Sequence, residues 1–379
     1  MPSIHAYAAG FSEEPGYLDF AALGPLAATV LAEGEAQREL LSRARFGSLA
    51  DLADQDARAR RAVAEAIGFH EDSVVSQPNT STGLMHAMFG LTGGVLMSPA
   101  EFPALTYAAV RAQETLGVVA PIWLDTDHGR VTPGQIREQL TSTTAAVAVS
   151  LVDARTGYLA DIEGIRQVIG DRLLIVDAVQ GFGVVDAPYS VADVVASGGQ
   201  KWVRAGLGTG FLALSDRALE HLIPVFSGHH AVAGGQLTWD TVQQPERSAA
   251  AFQLSSPDYS ACARFAAAVE EITAVGVAAI NDRITSLVSA LIDLADEFAV
   301  PVVSSRNESE RAGIVVVEPP ADSLTLLTAA LFNHGVTATV RQGRVRFSVH
   351  ASTTQESFDM LRAAFTAYSS ARRPGFTTP

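Results

Sequence analysis

Short apolar runs alternate with amphipathic stretches along the first two thirds of the chain. Between residues 50 and 245, apolar runs that end in turn-forming residues predict buried strands, at 93–97, 118–124, 145–151, 173–177, 192–196 and 210–214. Segments with helical spacing, such as 132–140 and 161–169, separate these runs. The alternation predicts an α/β domain with a mostly parallel central sheet.

The pattern changes near residue 250. A long helical region covers 255–298, and short strands at 312–318 and 336–350 precede a last helix over 354–370. This order is typical of a smaller α+β domain. We therefore expect an N-terminal segment over 1–16, a large domain over 17–250 and a small C-terminal domain over 251–379.

Composition narrows the possible functions. The net charge of −15, without a basic run, disfavours nucleic acid and anionic lipid as partners. The first 20 residues lack the features of a signal peptide, and no apolar run approaches the ~18 residues of a membrane span. The single cysteine, Cys262, excludes an intrachain disulfide and a multi-cysteine metal site. We expect a cytoplasmic protein that acts on a small molecule.

Lysine is nearly missing from the chain. The 26 basic residues are 25 arginines and one lysine, Lys201. A primary amine forms an imine with an aldehyde, whereas the arginine side chain stays protonated and does not. Asp177 ends the predicted strand 173–177, and ligands of open parallel sheets bind at the carboxyl ends of strands. A carboxylate there can hold the cationic ring nitrogen of pyridoxal phosphate (PLP), with Gln180 placed to donate to the phenolic oxygen of the same ring.

The spacing of these residues resembles a known family. "DAVQ" followed by "ASGGQKWVRAGLGTGFLAL" is similar to the Asp-x-x-Gln and lysine loop of the class V aminotransferases, fold type I PLP enzymes that include cysteine desulfurases, kynureninase and isopenicillin N epimerase. The resemblance implies a catalytic Schiff base on Lys201. Gln200 stands where the family usually has His, and Gly198 where it has Ser, so Ser197 is the hydroxyl expected to compensate at the phosphate.

Two further segments imply contacts with the cofactor. "VVSQPNTSTGLMHAMFGL" resembles the phosphate-binding loop that opens a helix, and it implies roles for Asn79, Thr80 and Ser81 at a helix N-terminus, where the dipole favours an anion. "SPAEFPALTYAAV" resembles the loop whose aromatic residue stacks on the pyridine ring, here Phe102 in place of the more common His. "YLDFAALGPL" is similar to the family's N-terminal segment over the substrate site.

The C-terminal third carries the implied partner and substrate contacts. "AFQLSSPDYSA" resembles the segment that reaches the phosphate of the neighbouring subunit's cofactor; Ser256 is the matching residue, which implies a homodimer with active sites at the subunit interface. "VRQGRVRFSVHASTTQESFDML" resembles the segment whose arginine clamps the substrate carboxylate. Arg346 takes that role and Arg341 assists, whereas Arg344 has no counterpart and is expected at the surface.

Three reactions on an α-amino acid share these residues, with Lys201 removing the Cα proton. A cysteine desulfurase needs a nucleophilic cysteine on a mobile C-terminal loop, but Cys262 falls in an apolar helical pattern that predicts a buried structural thiol. We therefore favour a C–S lyase that eliminates from a cysteine derivative, ahead of an aminotransferase and then an epimerase.

Two functions of other classes fare less well. A non-catalytic PLP-fold binding protein would have no reason to keep Asp177, Gln180, Lys201 and Arg346 together. A nicotinamide-dependent oxidoreductase needs G-x-G-x-x-G after an early strand, which the chain lacks. The pair His229 and His230 does not predict a metal site, because adjacent side chains of an extended chain point apart.

Overall fold

The computed structural model describes residues 2–233 and 238–372. Its larger sheet has seven strands: β1 (Val74–Ser76), β2 (Gly93–Met97), β3 (Val119–Trp123), β4 (Thr144–Ser150), β5 (Leu173–Asp177), β6 (Val194–Gly198) and β7 (Gly210–Leu214). The order is β1-β7-β6-β5-β4-β2-β3, and only β7 runs antiparallel to its neighbours. The predicted mostly parallel sheet is confirmed.

All six predicted strands are present, with β6 shifted two residues towards the C-terminus. The apolar runs are continuous because both faces of the sheet are buried. In β5, Leu174 and Val176 enter one core cluster, while Leu173 and Ile175 enter the other. Strand β1 was not predicted, since three residues are too few to show a period.

Helices cover both faces of this sheet and extend into the C-terminal third. In the described residues they are α1 (Ile4–Ala8), α2 (Ala28–Arg43), α3 (Ser48–Ile67), α4 (Thr80–Gly90), α5 (Pro103–Leu116), α6 (Pro133–Gln139), α7 (Ile162–Ile169), α8 (Asp216–His221), α9 (Tyr259–Val275), α10 (Val277–Glu297), α11 (Leu324–Asn333) and α12 (Gln355–Arg372). Several begin at side-chain caps; the Thr132 hydroxyl and the Gln135 side chain form a reciprocal capping box on α6.

The smaller sheet contains β8 (Ile314–Val317), β9 (Thr339–Arg341) and β10 (Arg344–Ser348), all antiparallel, in the order β8-β10-β9. A two-residue turn joins β9 to β10, and both of its residues, Gln342 and Gly343, have positive φ (51° and 81°), as a type I′ turn requires. The domain limits at 16/17 and 250/251 stay predictions. Met1 and residues 234–237 and 373–379 of the expected domains lie outside the described residues.

Helices α9 and α10 meet at a bend of 82° after Val275. Within residues 2–233 and 238–372, no single helix is long and apolar enough to cross a membrane, although this bent pair passes the same test by length and composition.

Candidate active site

The carboxyl ends of three central strands meet at one edge of the large sheet. Ser150 at the end of β4 lies beside Asp177 at the end of β5, which in turn pairs with Ala196 of β6. The loop after β6 brings Lys201 to the same edge. A cavity of about 640 Å³ opens there, and its walls include Lys201, Phe102 and Arg346. Four predicted residues from distant segments, Phe102, Asp177, Lys201 and Arg346, therefore meet at this edge of the sheet.

Asp177 is a buried carboxylate without an ion pair in the described part of the chain. Its side chain is 2% exposed, and Oδ1 accepts one hydrogen bond, from the Val179 N–H at 3.1 Å. Burial raises the pKa of Asp177 to about 6, while the Val179 hydrogen bond and the charge of Lys201 oppose that rise. A cationic ring nitrogen would supply the counter-charge that this carboxylate lacks.

The only lysine is almost as deeply buried, at 9% exposed. Burial lowers the pKa of its amine to about 8, an effect that the negative charge of Asp177 opposes. The amine therefore loses its proton far more readily than an ordinary lysine. Its Nζ lies 5.3 Å from the centroid of the Phe102 ring, which places the predicted stacking residue beside the predicted attachment point.

Gln180 has a fixed side-chain orientation. Its Oε1 accepts from Trp202 Nε1 at 2.8 Å, and its Nε2 donates to the Ala21 carbonyl at 3.1 Å. The second Nε2 hydrogen stays available, as a contact with a phenolic oxygen requires. Trp202 follows Lys201 directly, so this hydrogen bond also holds the lysine loop against β5. Gly24 permits the N-terminal segment to pass close to the loop: a Cβ there would lie 1.9 Å from the Lys201 carbonyl oxygen.

The N-terminus of α4 and the end of β6 form a small polar corner. The Asn79 side chain caps α4 by accepting from the Thr82 N–H at 3.0 Å, and Ser81 beside it is exposed. Thr80 Oγ1 is buried and has no hydrogen-bond partner in the described residues. A Cβ on Gly198 would lie 2.2 Å from Gln200 Oε1 and 3.1 Å from this same Thr80 oxygen.

These contacts give a physical reason for the departures from the family's motif. Because the Gln200 side chain lies over position 198, a serine there would require this side chain to move, so glycine at 198 and glutamine at 200 fit together. The orphaned Thr80 hydroxyl and the free N–H groups at the start of α4 suit a phosphate. Ser197 is fully buried, and its hydroxyl donates to the Gly198 carbonyl at 3.3 Å. Taken together with Asp177 and Lys201, the donor set fits PLP.

Arg346 projects from β10 into the cavity. It donates to the Ala154 carbonyl and to the Thr339 hydroxyl, each at 3.1 Å, and its Nη2 lies 3.5 Å from Asp19 Oδ1. Its Nε is buried without an acceptor among the described residues. This guanidinium is thus held in place yet keeps a donor for a carboxylate. Arg341, the other predicted substrate contact, is exposed and also lines the cavity.

Ser256 lies outside this cavity. It is exposed, and its Oγ is 2.7 Å from His230 Nε2. The expectation that His229 and His230 point apart is wrong, because the centroids of their rings lie 4.3 Å from each other. The segment is a turn rather than an extended strand, and the alternation of side chains does not apply to it.

Sequence reasoning missed two acidic residues of the site. Glu101 lines the cavity, and its Oε2 accepts from the Ser150 N–H at 3.0 Å; burial raises its pKa to about 7. Asp19 lies beside Arg346, and the Thr339 hydroxyl shares its one hydrogen between the two Asp19 carboxylate oxygens, at 2.8 Å and 2.9 Å. Their positions in the sequence could have indicated both residues. Glu101 precedes Phe102 just after β2, and Asp19 belongs to the segment "YLDFAALGPL".

A third missed residue is Arg204, three positions after Lys201. Its side chain is fully buried, and its backbone has φ of 60°. It forms an ion pair with Glu13, donates to Ser352 Oγ at 2.9 Å, and stacks on Phe11 at 3.9 Å from the ring centroid. This network, which we call the Arg204 network, ties the N-terminal segment and the chain after β10 to the lysine loop.

Known proteins match the chain in sequence and in fold. The profile of the family Aminotransferase class-V matches residues 17–372. A relative named as a probable cysteine desulfurase, from Methanothermobacter thermautotrophicus, is 30% identical over 178 residues, which cover 45% of this chain and 44% of that protein. The match therefore spans less than half of the relative's length.

Solved structures share the fold over nearly the whole chain. The apo structure of a cysteine desulfurase from Thermococcus onnurineus NA1 has a TM-score of 0.81 at 20% identity and covers 92% of this chain and 93% of its own. A cystine C–S lyase in complex with its reaction product, cysteine persulfide, has a TM-score of 0.83 at 17% identity, with 93% and 97% covered. At such identities these likenesses show the fold.

The chain belongs to the class V aminotransferase family. It is a PLP-dependent enzyme with the fold type I architecture, which confirms the predicted family, fold class and cofactor. The alternative of a non-catalytic binding protein does not agree with this membership.

Proposed function

We propose that the enzyme is a C–S lyase that eliminates from a cysteine derivative without a catalytic cysteine. The placement of the single cysteine carries this proposal. Cys262 lies in α9, is 6% exposed and packs with Ala59 and Ala266. Burial raises the pKa of its thiol to about 12, so the nucleophilic thiolate is scarce. Cys262 does not belong to the described residues that line the Lys201 cavity.

Elimination needs no second nucleophile. The Cα–H and Cβ–S bonds break, a Cα–Cβ double bond forms, and the sulfur leaves as a thiol that takes up one proton. The 2-aminoacrylate that remains is hydrolysed by water to pyruvate and ammonia. A persulfide route would instead require a thiolate within reach of the substrate sulfur, which Cys262 does not provide.

The predicted residues divide the work of holding the cofactor. Asp177 would place its carboxylate at the ring nitrogen, Gln180 would donate to the phenolic oxygen, and Phe102 would stack on the ring. The α4 N-terminus would hold the phosphate through Thr80 and the backbone of Asn79 and Ser81, with Ser197 and Gln200 close by. In a homodimer, Ser256 would reach the phosphate bound by the second copy; its exposed position supports this.

Bound PLP supplies an electron sink for the electron pair left at Cα. Lys201 would hold the cofactor covalently at rest and, once freed by the substrate amine, would take the Cα proton. Because burial lowers its pKa to about 8, a useful fraction of the amine is neutral near neutral pH. Arg346 binds the α-carboxylate, and its contacts with Asp19 and Thr339 orient the guanidinium.

The attachment is tested on the purified protein by borohydride reduction. We expect a visible absorption band that borohydride abolishes, and a reduced adduct that mass spectrometry finds on the Lys201 peptide. Lys201→Ala should lose the adduct and at least ~10³-fold of its turnover, since attachment and proton transfer are both lost. A protein that stays colourless after incubation with PLP would contradict the proposed attachment.

The reaction is tested with S-alkyl-L-cysteines. Release of pyruvate and thiol in equal amounts would support the lyase. Transfer of the amino group to an added keto acid without thiol release would favour an aminotransferase, and loss of optical activity without either product would favour an epimerase.

A further inference from the structure

The tip of the β9–β10 hairpin concentrates positive charge. Arg341 and Arg344 flank the two-residue turn and are directly paired, so their side chains share one face of the hairpin. Arg346 follows two residues later on the same face. All three line the Lys201 cavity. Like charges placed directly opposite each other destabilise a hairpin, so this arrangement carries a cost in the free protein.

The three guanidinium groups differ in their partners. Arg346 lies beside Asp19, and Arg344 forms an ion pair with Glu318, with Nη2 at 2.9 Å from Oε2. Arg341 has no hydrogen bond or ion pair within residues 2–233 and 238–372. Burial lowers the pKa of Arg346, the charge and hydrogen bond of Asp19 oppose that effect, and the charge of Arg341 adds to the lowering. Of the three guanidinium groups, Arg341 is thus the one without a counter-charge in the described part of the chain.

The cavity contrasts with the rest of the molecule. The chain carries a net charge of −15, yet this cavity is lined by Lys201 and four arginines, the fourth being Arg155. Two carboxyl groups share the walls. Asp153 accepts hydrogen bonds from the backbone N–H groups of its own loop, and burial raises the pKa of Glu101 to about 7. Asp153 also lies 3.7 Å from Arg155 Nη2, and among the described residues neither carboxyl group forms a hydrogen bond or ion pair with Arg341. The hairpin side of the cavity therefore keeps an excess of positive charge.

We propose that Arg341 forms a second anion subsite, and that the substrate is a cysteine derivative whose sulfur substituent carries an acidic group such as a carboxylate. This inference rests on the proposed elimination, in which Arg346 is used by the α-carboxylate. A substrate whose only anionic group is the α-carboxylate would leave Arg341 without a contact. A substrate with a second anion places that group at the rim, where the free guanidinium lies.

Two substrates of equal size test the subsite: S-(2-carboxyethyl)-L-cysteine and its amide, S-(2-carbamoylethyl)-L-cysteine. Binding is measured by calorimetry on PLP-loaded Lys201→Ala protein, and kcat/KM on the wild-type holoenzyme. We expect the carboxylate to bind about tenfold more tightly than the amide, as one partly exposed charged hydrogen-bonded contact gives. The preference should shrink as salt is raised.

Arg341→Gln should remove this preference, whereas Arg344→Gln, the matched control whose guanidinium is already paired with Glu318, should keep it. Equal binding of acid and amide to the parent protein would overturn the subsite even if both release pyruvate. Tighter binding of the acid, lost in Arg341→Gln, with no pyruvate from either compound would leave the subsite standing and contradict the proposed lyase activity.

Discussion

Two buried charged clusters lie three residues apart on one loop and are built in opposite ways. Lys201 and Asp177 are both buried, but no hydrogen bond or ion pair joins them in the described residues. Arg204 is buried more completely, yet Glu13, Ser352 and the Pro25 carbonyl satisfy its guanidinium. A buried charge without a partner marks a place for a ligand, whereas a satisfied one marks a structural joint.

The pKa values separate the two clusters. Burial raises the pKa of Asp177 and lowers that of Lys201. Both side chains, which lack a hydrogen bond or ion pair with each other, are therefore shifted towards their neutral forms. Burial also raises the pKa of Glu13, but the hydrogen bond and the charge of Arg204 outweigh it, and the pKa lies below its ordinary value. In the cofactor-free protein, the charged forms of Asp177 and Lys201 lower the stability of the fold, whereas the ion pair of Arg204 and Glu13 raises it.

Breaking the Arg204 network should give the largest loss of stability. Glu13→Ala leaves the buried guanidinium without its carboxylate, and we expect the free energy of unfolding to fall by about 3–5 kcal/mol. Urea denaturation of the cofactor-free protein measures this loss. Glu14→Ala, which changes the exposed neighbour, should have little effect and serves as the control.

Adding Arg204→Met to Glu13→Ala should recover part of the loss. The double variant removes the buried charge, and the unbranched apolar side chain still fills the space against Phe11. A Glu13→Ala protein within ~0.5 kcal/mol of the parent would mean that the network does not stabilise the fold.

The second prediction concerns the reactivity of Lys201. In the cofactor-free protein, acylation of its amine should rise with pH around a midpoint of about 8, because burial favours the neutral amine. The urea-unfolded chain should show a midpoint near ~10.4. Since the chain has one lysine, mass spectrometry of the Lys201 peptide follows a single side chain. Equal midpoints in both states would show that the amine is solvated.

The third prediction concerns Asp177. The folded state raises its pKa from 3.8 to about 6, so the folded state binds this proton more tightly than the unfolded chain. Ionisation therefore costs stability, which falls as pH rises through the interval from about 4 to about 6. Asp177→Asn should stabilise the cofactor-free protein by about 1–3 kcal/mol at pH 7, with no advantage below pH ~4.

The same substitution should weaken PLP binding, because the amide no longer offers a negative charge to the ring nitrogen. Thermal unfolding with and without PLP measures both effects. Asp186→Asn, at an exposed position, is the control. A loss of stability in cofactor-free Asp177→Asn would show that the carboxylate already has a partner.

The sequence predicted the first cluster but not the second, for a physical reason. Asp177, Gln180 and Lys201 lie on one short stretch whose spacing follows from strand, loop and turn. Arg204 resembles any other arginine in sequence, since its partner Glu13 is 191 positions away. Only the folded chain shows that a positive-φ arginine is enclosed there. Likewise, the loop containing Phe102 did not reveal that the Glu101 carboxyl lines the cavity and accepts from the Ser150 N–H.

The smallest expected effect is at Cys262, a buried group outside both clusters. Cys262→Ala should keep turnover within about twofold and lower the free energy of unfolding by about 1 kcal/mol, as the loss of a small buried side chain does. Pyruvate and thiol release are measured beside the parent enzyme, with iodoacetamide treatment of both. An enzyme that abstracts sulfur through a persulfide would lose all turnover in this variant, because the chain has no other cysteine to take its place. Full release of pyruvate and thiol by Cys262→Ala would therefore exclude sulfur abstraction through a cysteine persulfide. It would support direct elimination, for which Lys201 is the reactive side chain.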